Sequence, residues 1–216
     1  MITNFSYLLV ALLILIIGVP IAYDLELISL PVSRALGISS VLAIGVSSLR
    51  GTGRLFHASI FLAVTGIVLS VLSVASDNDT LHFISQLELF VFLILATFNA
   101  MRQVAVGNDI SPNRIVGAVC VYLLLGVMWS IAYSVLEYLQ PGSFKGLTEL
   151  AMPEWNPDWI YFSFVTITTL GYGDISPLTQ TARSLSRRSD CGTVLYRGAR
   201  RRTRQCLHLR KARMQQ

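Results

Sequence analysis

The sequence predicts an all-α integral membrane protein, because of its composition, the length of its apolar segments and one short aromatic segment near the end. Hydrophobic residues make up 53% of the 216 positions and charged residues only 13%, with a mean hydropathy of +0.61. This balance is far from that of a soluble domain. About 20 helical residues cross a bilayer core about 30 Å thick. Several segments reach that length.

Five apolar segments are long enough to cross a membrane as helices. They are residues 5–23, 31–49, 55–75, 81–101 and 115–139. The first has neither a basic start nor a small-residue cleavage site, so we interpret it as a retained span and not as a signal peptide. Arg50 and Arg54 separate spans two and three, and Arg102 and Arg114 separate spans four and five. Because cytoplasmic loops collect basic residues, we predict a multi-pass protein of the cell membrane with a cytoplasmic N-terminus.

The segment that follows Pro157 is apolar and aromatic but too short to cross a bilayer. Its 11 residues, 158–168, are suited to a re-entrant half-helix that enters from the outer face. Gly171 and Gly173 then alternate with larger residues, and glycine takes positive φ values that can direct successive carbonyls to one side. Irregular backbone is tolerated at membrane depth only where protein buries it or where it lines a watery cavity. We therefore expect this segment to line a cavity in which carbonyl oxygens replace the water around a small cation.

The segment TLGYG at 169–173, with Asp174 after it, resembles the selectivity filter of the potassium-channel family. The resemblance implies a homotetramer in which each chain supplies one filter strand, with K⁺ as the permeant ion and no cofactor. It also implies that K⁺ is held by the hydroxyl of Thr169 and by backbone carbonyls. These carbonyls are those of Thr169, Leu170, Gly171 and Tyr172. Leu170 differs from the valine that is usual in the family.

The same resemblance implies roles for the residues around the filter. Thr168 ends the pore helix, whose C-terminal dipole favours a cation. Tyr172 packs outward against an aromatic cuff, and Asp174 braces the filter from behind. Tyr161 and Phe162 stand where many members of the family have two tryptophans. The Tyr161 hydroxyl could reach Asp174, whereas Phe162 offers only its ring.

The chain divides into three predicted parts. Residues 1–106 form a four-span module, and residues 107–182 form a pore module with an outer helix at 115–139, a pore helix at 158–168 and the filter at 169–173. Residues 183–216 form a basic, disordered tail. Span four has no arginine before Arg102, so it lacks the charges of a voltage sensor and we expect weak voltage dependence. Glu88 within this span is either functional or a structural residue that snorkels or pairs with span two.

The tail differs in charge from the rest of the chain. Residues 1–182 carry 6 basic and 11 acidic side chains, and residues 183–216 carry 11 basic and 1 acidic. The family's inner pore helix is expected here, and it is missing or replaced. One interpretation is a genuine basic tail that docks on anionic lipid or nucleic acid. The other, which we favour, is a shifted reading frame that begins between Ser184 and Arg188, since an alternative frame permits a small-residue apolar helix.

Together these features predict a passive potassium-selective channel subunit and not an enzyme. The expected partners are K⁺, membrane lipid and three further copies of the chain, with no nucleic acid partner. The alternative is a truncated, non-conducting membrane scaffold or channel-associated subunit. A carrier is disfavoured, because the sequence has neither paired repeats nor an intramembrane proton relay.

Overall fold

The computed structural model describes residues 5–18, 21, 54–76, 79–105, 112–147 and 157–189. Most of these residues are helical, which confirms the predicted all-α class. The elements are α1 (Phe5–Leu13, continued by a π-helix at Ile14–Gly18), α2 (Arg54–Ser76), α3 (Asp79–Ala105), α4 (Pro112–Leu139), β1 (Phe144–Lys145), α5 (Pro157–Ile167), β2 (Ser176–Pro177) and α6 (Gln180–Ser189). The predicted span at 31–49 lies outside the described residues.

Two of the described helical segments are long and apolar enough to cross a membrane. They are Phe83–Val104 and Pro112–Leu139, and they correspond to predicted spans four and five. With 28 residues, α4 is about 42 Å long, which exceeds the hydrocarbon thickness of about 30 Å. Phe5–Gly18 and Ile60–Ser73 are apolar but shorter.

Helices α1 and α3 pack on α4, and α3 contacts both the first and the last turns of α4. The side-chain oxygen of Asn113 accepts a hydrogen bond from the backbone N–H of Phe5 at 3.1 Å, so the first residues of α1 and α4 lie together. Arg114 donates to the carbonyl oxygen of Val104 at 2.5 Å, which places a cation at the C-terminus of α3. Helices α1 and α4 are therefore parallel and α3 is antiparallel to them, while α2 packs against α3 after a short connection.

Six residues at the C-terminal end of α4, which we call its outer end, form what we call the outer cluster. They are Tyr133, Phe144, Trp159, Phe162, Ile175 and Ala182. The ring of Phe144 lies 5.2 Å from Trp159 and 5.4 Å from Phe162 between centroids, both edge to face. Such aromatic pairs add to the free energy of simple burial. The cluster joins α4, β1, α5 and α6 around the predicted filter at 169–173.

Four boundaries differ from the predicted ones. Helix α4 begins at Pro112, since proline is favoured at the first helical position, and α5 likewise begins at Pro157 and ends at Ile167. The predicted tail boundary at 183 falls inside α6. The Thr179 hydroxyl accepts a hydrogen bond from the backbone N–H of Ala182 at 3.3 Å, which is an N-cap, and basic residues in the last turn suit the helix dipole. Residues 190–216 lie outside the described residues.

Candidate ion-conduction site

The predicted half-helix and filter form a hairpin that starts and ends at the outer end of α4. Strand β1 follows α4, and β2 follows the filter, and the two pair antiparallel with Phe144 opposite Pro177 and Lys145 opposite Ser176. The backbone N–H of Leu178 also donates to the carbonyl of Ser143 at 2.7 Å. The ring of Trp159, near the start of α5, lies against Phe144 in β1. The hairpin therefore starts beside β1 with α5 and ends beside β1 with β2.

Helix α5 descends from the outer end of α4 along that helix. The ring of Phe162 lies 4.9 Å from that of Tyr133, and the hydroxyl of Ser163 donates to the carbonyl of Gly126 at 2.7 Å. Gly126 precedes the last residue of α4 by 13 positions, which is about 20 Å of helix. A Cβ at Gly126 would stand 2.3 Å from the ring of Phe164, so only glycine permits this close crossing. The C-terminus of α5 therefore lies well below the outer end of α4.

The junction between α5 and the filter is a Schellman motif. The N–H of Thr169 donates to the carbonyl of Thr166, and the N–H of Leu170 donates to the carbonyl of Val165, both at 3.0 Å. This pairing is typical of a helix that ends in one left-handed residue, usually glycine. Here that residue is Thr169, with φ of 61°, at a cost of about 1–2 kcal/mol for a side chain with Cβ. Thr169, the first residue of the predicted filter, is thus held in a strained backbone conformation. The sequence pattern did not indicate this strain.

The filter residues leave the helix with their backbone uncovered. Gly171 and Gly173 have φ of 56° and 83°, the positive values expected from their alternation with larger residues. All positions from Thr168 to Asp174 are exposed within one chain. Leu170 is 58% exposed and Tyr172 is 68% exposed, so two large side chains have little cover from their own chain.

The structure brings Tyr161 and Asp174 together. The Tyr161 hydroxyl donates to one carboxylate oxygen of Asp174 at 2.5 Å, and the backbone N–H of Ile175 donates to the other at 2.9 Å. The hydrogen bond from Tyr161, followed by that from Ile175, holds the pKa of the Asp174 carboxyl below its ordinary value. Phe162 lies buried in the outer cluster. Of the two predicted cuff residues, Tyr161 therefore hydrogen-bonds to Asp174, and Phe162 lines a cavity beside Thr169, Gly171 and Gly173.

Two residues that sequence reasoning missed hold the frame of the hairpin. Glu137 is 4% exposed, and its carboxylate accepts the N–H of Gly142 at 2.7 Å and that of Phe144 at 3.1 Å. Gly146 has φ of 85°, and a Cβ there would stand 1.9 Å from the carbonyl oxygen of Asp174. The signal for Glu137 was an acidic residue near the end of an apolar span. Gly146 had no signal, because its contact lies 28 residues along the chain.

A comparison with known families assigns part of the chain to a class. Residues 125–186 match the model of a family described as "Ion channel". The matched segment begins within α4 and ends within α6, so it contains the whole hairpin. No curated protein and no solved structure matches the chain. The match supports an ion-channel function and points to a channel or transporter and not to an enzyme. With the two long apolar helices it supports a membrane protein.

Proposed function

We propose that the chain is a subunit of a tetrameric, potassium-selective channel that conducts passively. The observation that carries the proposal is the return arm of the hairpin, where TLGYG follows the C-terminus of a descending helix with exposed backbone. Backbone at membrane depth needs burial in protein or a watery cavity, and one chain supplies neither for Leu170 and Tyr172. Further copies around a common axis supply both.

The chemistry of the site suits a dehydrated cation. The carbonyl oxygens of Thr169, Leu170, Gly171 and Tyr172, with the hydroxyl of Thr169, act as K⁺ ligands when four copies face one another. The C-terminus of α5 adds partial negative charge at the inner end of the filter. At the outer end, Asp174 keeps its carboxylate because Tyr161 and Ile175 hydrogen-bond to the ionised form.

The proposed orientation puts the first residue of α4 in the cytoplasm. Arg54, Arg102 and Arg114 all belong to the end of the helices where α2 and α4 begin and α3 ends, and basic residues collect on the cytoplasmic side. Lys145 lies at the opposite end, beside the filter exit. A multi-pass protein of the cell membrane with a cytoplasmic N-terminus follows, and reporter fusions at residues 1 and 145 test it.

The direct test is ion flux with matched glycine variants. Gly171 and Gly142 both have positive φ, and at both positions an added methyl group would meet open space, so Gly171→Ala and Gly142→Ala impose similar backbone strain. Only Gly171 is in the filter. With purified protein in liposomes, we expect K⁺ flux well above Na⁺ flux for the natural chain and for Gly142→Ala, and loss of K⁺ flux for Gly171→Ala. Equal flux in both variants, or equal K⁺ and Na⁺ permeability in the natural chain, contradicts the proposal.

A non-conducting scaffold is the second candidate, and the basic residues of α6 favour it. Arg183 and Arg187 line the same cavity as the filter residues Thr169 and Gly171, where positive charge opposes a cation. A scaffold binds conducting subunits but passes no ions alone. Co-purification with a conducting channel subunit, combined with the absence of flux from the chain by itself, is the result that supports it.

A further inference from the structure

A cavity of about 420 Å³ lies beside the filter, between α5 and α6. Its walls include the filter residues Thr169, Gly171 and Gly173 on one side and Arg183, Ser186 and Arg187 on the other. A sphere of this volume is about 9 Å across. Both arginines and the filter backbone therefore line one small space, and charges that close interact even when solvent partly screens them, because the screening length is about 10 Å at 0.1 M salt.

The two arginines differ in how they are held. The Nε of Arg183 donates to the carbonyl oxygen of Pro177 at 3.3 Å, which holds its guanidinium near the outer end of the hairpin. Arg187 has no hydrogen-bond or ion-pair partner in the described part of the chain. Between residues 157 and 189 the acidic side chains are Asp158 and Asp174, and Asp174 is already bound to Tyr161. Within residues 157–189, no acidic side chain therefore pairs with Arg187 at the cavity.

From this juxtaposition we propose that Arg187 sets the cation affinity of the filter by raising the free energy of a bound K⁺. The inference rests on the proposed channel function. Conduction requires binding that is favourable enough for entry and weak enough for exit. In a tetramer the charge is repeated four times around the filter. Arg187 therefore weakens K⁺ occupancy and makes flux rise only at high K⁺ concentration.

Arg188 is the matched control. It is the next residue in the last turn of α6 and is exposed, but it is not part of the cavity wall. Both residues place a positive charge at the helix C-terminus, so both Arg187→Gln and Arg188→Gln remove the same helix-dipole interaction. A difference between the two variants therefore reports the cavity and not the stability of α6.

The experiment is a K⁺ titration of the full chain in detergent, with thermal unfolding as the readout and N-methylglucamine as the replacing cation. We expect Arg187→Gln to lower the K⁺ concentration of half-maximal protection on the order of tenfold, as a unit charge across the width of the cavity gives at an effective dielectric constant of about 20, and Arg187→Glu to lower it further. Arg188→Gln should stay within about twofold of the natural chain, since this residue lies outside the cavity wall. Thallium flux into liposomes should follow the same order at low ion concentration.

The outcomes separate the two proposals. Equal K⁺ midpoints for the natural chain, Arg187→Gln and Arg188→Gln, with K⁺ favoured over Na⁺, overturn the role of Arg187 and leave the channel proposal standing. Protection that is the same for K⁺ and Na⁺ in every variant overturns the channel proposal itself, and with it the inference. If K⁺ protects the Arg187→Gln variant against thermal unfolding but does not protect the natural chain, the result supports both the channel proposal and the role of Arg187.

Discussion

Two glutamates lie within the helices of this chain, and their carboxylates are satisfied to different degrees. Glu137, near the outer end of α4, accepts backbone N–H groups on both oxygens. Glu88, in α3, accepts the hydroxyl of Thr65 on one oxygen, while its other oxygen is buried without a partner among the described residues. A buried polar group without a partner costs free energy that a paired one does not. Among the described residues, the Glu137 carboxylate is therefore fully paired and the Glu88 carboxylate is not.

Other buried polar side chains also have atoms without a partner in the described part of the chain. They occur in α3 and in the hairpin, namely at Gln86, Thr97, Asn99, Trp159 and Ser176. By contrast, the turn after α4 closes through contacts between residues close in sequence, such as the Ser143 hydroxyl with the carbonyl of Gln140 at 2.7 Å. Local closure means that the hairpin frame depends on few side chains. Substitutions that remove one of these side chains, such as that of Glu137, should have large effects.

The largest expected effect comes from Glu137→Ala. The change leaves the N–H groups of Gly142 and Phe144 without their charged acceptor, and each hydrogen bond to a charged group contributes about 1.5–3 kcal/mol. We therefore expect a loss of about 3–6 kcal/mol in the free energy of unfolding, with loss of K⁺ selectivity as the frame of the filter loosens. Denaturant titration in detergent and flux in liposomes measure the two effects.

Glu137→Gln serves as the control for this change. The amide keeps one acceptor oxygen, so its loss of stability should be intermediate. A Glu137→Ala protein with unchanged unfolding free energy and selectivity would show that the two hydrogen bonds do not support the hairpin.

The second comparison uses two glycines on opposite halves of α4. A Cβ at Gly126 meets the ring of Phe164 at 2.3 Å, and a Cβ at Gly117 meets Val104 at 2.8 Å and Phe5 at 3.0 Å. Overpacking costs about 1–3 kcal/mol. We expect Gly126→Ala to displace α5 and to reduce flux, whereas Gly117→Ala disturbs only the packing of α1 and α3. Flux that falls equally in both variants contradicts a specific role for the α4–α5 crossing.

A third prediction separates stability from function at one residue. Thr169→Gly removes the strain of a left-handed threonine, so the free energy of unfolding should rise by about 1 kcal/mol. The same change removes the hydroxyl proposed as a K⁺ ligand, and flux should fall. Thr168→Gly is the control, because Thr168 is not the left-handed residue of the motif and should not gain stability. A Thr169→Gly protein with a lower free energy of unfolding than the natural chain would contradict backbone strain at Thr169.

The sequence was sufficient for features whose signal is local. Apolar length predicted spans four and five, which correspond to the two long apolar helices, and the short aromatic segment before TLGYG predicted α5 to within one residue. Both depend on periodicity and length, which neighbouring residues determine. The alternation of Gly171 and Gly173 with larger residues likewise predicted their positive φ values.

Other features could not be predicted because they depend on distant residues. Gly126 permits the helix crossing only because Phe164 packs there, and Gly146 approaches Asp174. The burial of Phe162 in the outer cluster likewise depends on Tyr133 and Phe144, whose rings contact it. The extension of α6 past residue 183 was missed because its charge indicated a tail, whereas a threonine cap and buried contacts at Ala182 and Ser189 favour helix.

A smaller effect is expected at the outer end of the filter. The depressed pKa of Asp174 means that its contribution to stability is present above the ordinary carboxyl pKa of 3.8 and is lost as pH falls through the lower folded value. Tyr161→Phe removes the main cause of the depression, so the folded pKa rises toward 3.8, the stabilising contribution shrinks and the carboxylate becomes protonated at higher pH. When flux is measured against external pH, we expect its fall on the acidic side to occur at higher pH. We also expect the current to decline faster with time.

Tyr138→Phe is the control for this experiment, since Tyr138 stacks on Phe83 with ring centroids 4.6 Å apart and does not contact the filter. Its pH profile should match that of the natural chain. An unchanged acid limb in Tyr161→Phe would mean that the hydrogen bond to Asp174 does not govern the ionisation of this carboxyl.

The smallest effect should come from Glu88→Gln, and it tests the contrast between Glu88 and Glu137 directly. An amide keeps an acceptor for the Thr65 hydroxyl and removes a charge whose second oxygen has no partner in the described residues. The lost interaction and the relieved burial of charge should nearly cancel, so the free energy of unfolding should change by less than about 1 kcal/mol, or increase. A loss comparable to that of Glu137→Ala would instead show that Glu88 holds a charged partner, and its carboxylate would then be as fully paired as that of Glu137.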